Sequence, residues 1–175
     1  MKTSTRSLQG ACGFTLVEVM IAAGVIAVGF LGSFAMVLQS GRQASAAEES
    51  SLVCTGLEQQ MDLLRTLTWP ALTSGSGITG TVWSAQPPAI SGVPVTQETI
   101  TVTAYPTAGQ TLTATWNVLT NATTVNLAGS PALSTATSVQ VVATITWTGR
   151  RSGRSMTQSL VTVITEGGIS ASAAP

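Results

Sequence analysis

The chain of 175 residues carries seven basic and seven acidic side chains, a formal net charge of zero, and that argues against a binder relying on a broad basic surface for nucleic acid. Histidine is absent, which removes the commonest general base and the commonest metal ligand together. The two cysteines, Cys12 and Cys54, are too few for a disulfide framework and wrongly spaced for a zinc site, so a non-enzyme without cofactor or metal is expected.

Residues 1–13, MKTSTRSLQGACG, are short, polar and weakly basic through Lys2 and Arg6. From Phe14 to Leu38 the chain is apolar, with Glu18 its one charge. At about 1.5 Å per residue, the uncharged stretch Val19–Leu38 makes a helix of about 30 Å, enough to cross a hydrocarbon core. Lys2 and Arg6 before it predict an N-terminus held on the cytoplasmic side. An ionisable group in such a helix costs roughly 2.5–3.5 kcal/mol at mid-bilayer and less near the interface, so Glu18 needs a partner.

Gln39–Leu67 continues as helix with a different pattern. Val53, Leu57, Met61 and Leu64 recur at helical spacing and mark one apolar stripe, while Glu48, Glu49, Glu58, Asp62 and Arg65 fall mostly off it. Trp69-Pro70 is expected to end a continuous helix, because the residue before proline is pushed out of αR geometry. Cys54 sits beside the stripe and is expected as a small core residue. Ala71–Val93, rich in Gly, Ser and Pro, predicts a long connecting loop with a short strand at Thr81–Ser84.

Strands follow. Alternation predicts them around Ile100–Ala104, Leu112–Val118 and Val139–Thr148, and Met156–Thr165 supplies a fourth after a turn at Gly149–Gly153. Asn121–Thr137 reads as a polar loop, and the tail Gly167–Pro175 as frayed. The four tryptophans are expected in core and loop packing. Arg150, Arg151 and Arg154 are expected at a solvated hairpin tip, with an acidic partner or DNA as the other reading. The predicted fold is α+β, one long helix packed on an antiparallel sheet of about four strands.

Gly13-Phe14-Thr15-Leu16-Val17-Glu18, with the uncharged span behind it and the short basic leader before it, resembles the class III signal of type IV prepilins and pseudopilins. The resemblance implies a pilin-like fold, cleavage by a prepilin peptidase after Gly13 and N-methylation of Phe14. It further implies that Glu18 serves assembly by pairing with the Phe14 amine of a neighbouring subunit. VMIAAGVIAVGFLGS is similar to PilV-type minor pilins and to the minor pseudopilin I of type II secretion, and LEQQMDLLRTLTW at 57–69 and VVATITWTGRRSGRSMTQSLVTVIT at 141–165 resemble the helix end and last hairpin of such proteins. On this reading 1–13 is a leader, 14–38 a transmembrane and assembly helix and 39–69 its amphipathic half. Residues 70–166 form a periplasmic β-domain and 167–175 a tail. The expected partners are other pilins, the prepilin peptidase and an inner-membrane assembly platform. The expected location is the inner membrane, single-pass, and then a pilus or pseudopilus.

Some features depart from the major subunits of such filaments. Ala35 stands where well-known major pilins carry a proline, only Cys54 survives leader removal, and Glu98 and Glu166 are the only acids beyond Asp62. Each absence points to a minor subunit. A secretory signal cut at Ala44-Ser45-Ala46 is disfavoured because signal h-regions run about 7–15 residues. A lipobox at Cys12 fails because the apolar segment follows that cysteine. A minor pseudopilin of a type II secretion or DNA-uptake apparatus, and a membrane-anchored binding module that never polymerises, are the alternative functions.

Overall fold

The computed structural model describes residues 15–84, 90–107 and 109–167. The chain divides into two compact units at Gly41/Arg42. Helix α1 spans Leu16–Thr66 without a break. In the first unit its residues from Thr15 to Ser40 are all exposed. In the second, the predicted stripe is the buried face: Val53, Leu57, Met61 and Leu64 are at most 1% exposed.

That face packs on a five-stranded, wholly antiparallel sheet of order β3-β2-β1-β4-β5. The strands are β1 (Val95–Ala104), β2 (Thr111–Asn117), β3 (Ala122–Ala128), β4 (Ser138–Thr148) and β5 (Ser155–Thr165). Alternation directs Ile100 and Val102, Leu112, Ala114 and Trp116, and the odd residues Val139 to Trp147 onto the helix. Val53, Leu57, Met61 and Leu64 join them in one core. The α+β expectation therefore holds, with one strand more than the four predicted.

The additional strand, β3, lies inside the expected loop Asn121–Thr137. All seven of its residues are exposed, and the single alternating pair Val125 and Leu127 is too short to set it apart from a polar loop. What forms it is backbone pairing to β2 (Leu112↔Leu127, Ala114↔Val125), closed by a turn in which Asn117 Oδ1 accepts from the N–H groups of Leu119 and Thr120 at 3.0 and 3.1 Å.

Ala71–Val93 is not one long loop either. Pro70 falls in the first turn of a new helix, α2 (Trp69–Ser74), where proline is tolerated because those N–H groups lack intrahelical partners. Gly75, at φ 77°, closes it with its N–H on the Leu72 carbonyl. The strand expected at Thr81–Ser84 is instead the end of a π-helical turn, Ile78–Val82, capped by the Trp83 N–H on the Ile78 carbonyl. Cys54 is half-buried rather than a core residue. Beyond Gly167 the expected frayed tail lies outside the described residues.

Candidate functional site

The cleavage pair Gly13–Phe14 lies outside the described residues. The next residue, Thr15, is the N-cap of α1, and Glu18 is its third helical position. Thr15 Oγ1 accepts from the Glu18 N–H at 3.3 Å, and Glu18 Oε2 accepts from the Thr15 N–H at 3.2 Å. Glu18 Oε2 also lies 3.2 Å from Thr15 Oγ1. This reciprocal arrangement is a capping box, which satisfies two orphan donors and places a carboxylate at the positive end of the helix dipole. Within the chain, then, the carboxylate has a partner that the sequence reading did not assign. The signal was present: Thr-x-x-Glu ahead of an apolar run.

Behind this cap the helix presents apolar side chains on every face. Leu16, Met20, Val25, Val28, Leu31 and Phe34 are each 65% or more exposed. A contiguous apolar surface of that extent marks a lipid or protein contact, and the helix is long and apolar enough to cross a membrane.

Two acids in the second unit are held by geometry that the sequence reading missed. Glu49, expected off the stripe, is 5% exposed. It lies four residues before Val53, so it continues the buried row by one turn. Glu49 Oε2 accepts from the Trp147 indole N–H at 3.2 Å and Oε1 from the Arg150 backbone N–H at 3.1 Å, joining α1 to the β4–β5 tip. Glu98 is 1% exposed. Its Oε1 accepts from Gln60 Nε2 at 2.5 Å and from the Trp83 indole N–H at 2.7 Å. Burial pushes the Glu98 carboxyl up from 4.5 to about 7, with both hydrogen bonds pulling the other way.

Both sites are single carboxylates held by donors. Among the described residues no three His, Cys, Asp or Glu side chains converge on a point that could hold a metal. Three of the four tryptophans, Trp83, Trp116 and Trp147, are core residues, and Trp69 packs against the core half-buried. Arg150, Arg151 and Arg154 are exposed at the hairpin tip.

Residues 8–34 match the family model of the prokaryotic N-terminal methylation motif. With the long exposed helix and the α+β unit, that match supports a processed subunit of the type IV pilin and pseudopilin class. No curated protein and no solved structure matches the chain.

Proposed function

We propose that the protein is a minor pilin, PilV-like, made with the leader 1–13, cut after Gly13 by a prepilin peptidase and N-methylated on Phe14. The observation that carries this reading is the methylation motif at the start of a helix whose apolar residues from Leu16 to Leu38 are all exposed. Lys2 and Arg6 hold the leader in the cytoplasm, the helix holds the subunit in the inner membrane, and the unit beyond it folds in the periplasm. Assembly by the inner-membrane platform exchanges lipid contacts of the helix for contacts with other pilin helices.

Cleavage creates the Phe14 amine and discards Lys2 and Arg6, leaving five basic against seven acidic side chains. In the low-dielectric core of a filament, Glu18 then meets the Phe14 amine of a neighbouring subunit. An unpaired charge there is heavily penalised, so the pair sets axial register. The capping box supports this order of events, because Thr15 keeps the carboxylate hydrogen-bonded at the helix start until a neighbour arrives.

Mass spectrometry of the native N-terminus tests the reading, with methylated Phe14 as the expected first residue. An N-terminus at Met1, or a cut at Ala46, would overturn it. The subunit should also appear in sheared surface filaments. A correctly processed chain confined to the membrane fraction would point instead to a pseudopilus.

A further inference from the structure

The charge of the second unit is segregated along its length. Of its five arginines, Arg65 is paired with Asp62 at 3.1 Å and also donates to Thr162. The other four, Arg42, Arg150, Arg151 and Arg154, are exposed and gather at one end. A cleft of about 230 Å³ between the start of this unit's helix and the β4–β5 tip is lined by Glu48, Glu49, Arg150 and Arg151, with Ser45 and Ser91. A smaller one beside it brings Arg42 and Arg151 together around Glu49 and Gly149. Among the described residues, none of the four guanidinium groups has an ion-pair or hydrogen-bond partner.

The nearby acids offset only part of their charge. Both Glu49 oxygens accept from neutral donors, the Trp147 indole and the Arg150 backbone, so Glu49 forms no ion pair with a guanidinium among the described residues, and with the exposed Glu48 it sets two acids against four arginines. Glu58 and Asp62 lie further along α1, and Glu166 stands at the opposite end of the β4–β5 hairpin, its backbone N–H donating to the Thr137 carbonyl. That is about 35 Å away along the strands.

Connectivity alone ties the basic end to the bilayer. Leu38, last of the apolar run, precedes Arg42 by four residues, at most about 14 Å of chain. These arginines follow the span, so they are not the residues that set its orientation, a task already met by Lys2 and Arg6. We propose that Arg42, Arg150, Arg151 and Arg154 form a basic collar that rests on anionic phospholipid headgroups and holds the second unit at the bilayer surface until the subunit is extracted. The proposal rests on the reading of the chain as a membrane-anchored subunit. Guanidinium forks suit phosphate oxygens, and each basic residue near an anionic surface shifts the docked-to-free ratio roughly fivefold.

The Glu49 cap makes the collar testable without unfolding the tip. It uses the Arg150 backbone N–H, so the guanidinium groups can be replaced while the hairpin stays anchored. The full chain is placed in nanodiscs of phosphatidylcholine alone or mixed with phosphatidylglycerol, and arginines are footprinted with a phenylglyoxal reagent. The four collar arginines should react several-fold more slowly in the anionic discs, with Arg65 unchanged as the internal reference. Protection should vanish at about 1 M salt, where screening falls to about 3 Å. The triple variant Arg150→Gln, Arg151→Gln, Arg154→Gln should free Arg42 from protection, and the triple lysine variant should retain it.

Equal reactivity in both discs would overturn the collar while leaving the anchored reading intact. Protection by inorganic phosphate in phosphatidylcholine discs would make the cleft a free-anion site instead. Protection that rises with protein concentration in both discs would assign it to a neighbouring subunit. A chain that enters neither disc would remove the anchored reading itself, and the collar with it.

Discussion

Glu18 and Glu98 are carboxylates in apolar settings, and each is explained by its donors. Glu18 is shared between capping and, on the proposed function, assembly, and two substitutions separate these roles. Thr15→Val removes the hydroxyl half of the capping box and should cost about 1 kcal/mol of helix start, while filament incorporation persists. Glu18→Ala should leave cleavage and membrane insertion near normal, since a carboxylate no longer enters the bilayer, and should lower the ratio of filament to membrane subunit. Equal ratios in wild type, Thr15→Val and Glu18→Ala would reduce Glu18 to a cap. Glu98 predicts a pH dependence. Between 4.5 and about 7 the folded protein holds a proton that the unfolded chain has released. Stability should therefore fall as pH rises through that window, by on the order of 3 kcal/mol, and then level off. Without histidine, no imidazole competes in this range. Denaturant midpoints at about pH 5 and about pH 8 should differ accordingly, and Glu98→Gln should flatten the difference.

At the scale of elements, α1 and the β4–β5 hairpin are joined by one acid, Glu49. A Cβ at Gly149 would lie 2.5 Å from Ser152 Oγ, 3.3 Å from Met156 Sδ and 3.6 Å from Glu49 Oε2. Gly149→Ala meets first the hydroxyl of exposed Ser152, which can rotate away at the loss of its bond from the Arg154 N–H, whereas Glu49→Ala leaves the Trp147 indole and the Arg150 amide without their acceptor. Glu49→Ala should cost about 2 kcal/mol, read as a lower melting midpoint, Glu49→Gln should recover part of it by keeping one acceptor, and Gly149→Ala should cost less than Glu49→Ala. The apolar half of this arrangement was legible beforehand. The helical spacing of Val53, Leu57, Met61 and Leu64 and the period-two pattern of β4 are direct imprints of burial on one face. Elements that bury little left no such imprint. Strand β3 exists through backbone pairing at an open edge, and only its Asn117 turn hinted at it. The π-helical turn at Ile78–Val82 aims Trp83 at Glu98, a contact between residues fifteen apart that no local period encodes. The methylation motif, being contiguous, was legible in full, whereas the buried acids Glu49 and Glu98 were not, because their partners come from other strands and turns.

For the molecule as a whole, the consequence is that folding and anchoring use different residues. Among the described residues, every buried hydrophobic side chain lies between Val53 and Trp147, while Thr15 to Ser40 are all exposed. A chain truncated to begin at Gln39 should thus lose no core contact and keep the cooperative unfolding of the second unit. Its denaturant midpoint should match that of the full protein in detergent within a few tenths of a kcal/mol. Leu64→Asp should abolish that transition or lower it by several kcal/mol, because it puts an unpaired charge at a position with 0% exposure. Glu18→Ala in the full protein should leave the midpoint where it was, although it changes incorporation. The pair makes a cross-test: one variant moves stability with the methylation motif intact, and the other moves assembly with the core intact. A non-cooperative truncated chain, or a midpoint shifted by Glu18→Ala, would show that the apolar helix supports the fold of the second unit as well as its anchorage.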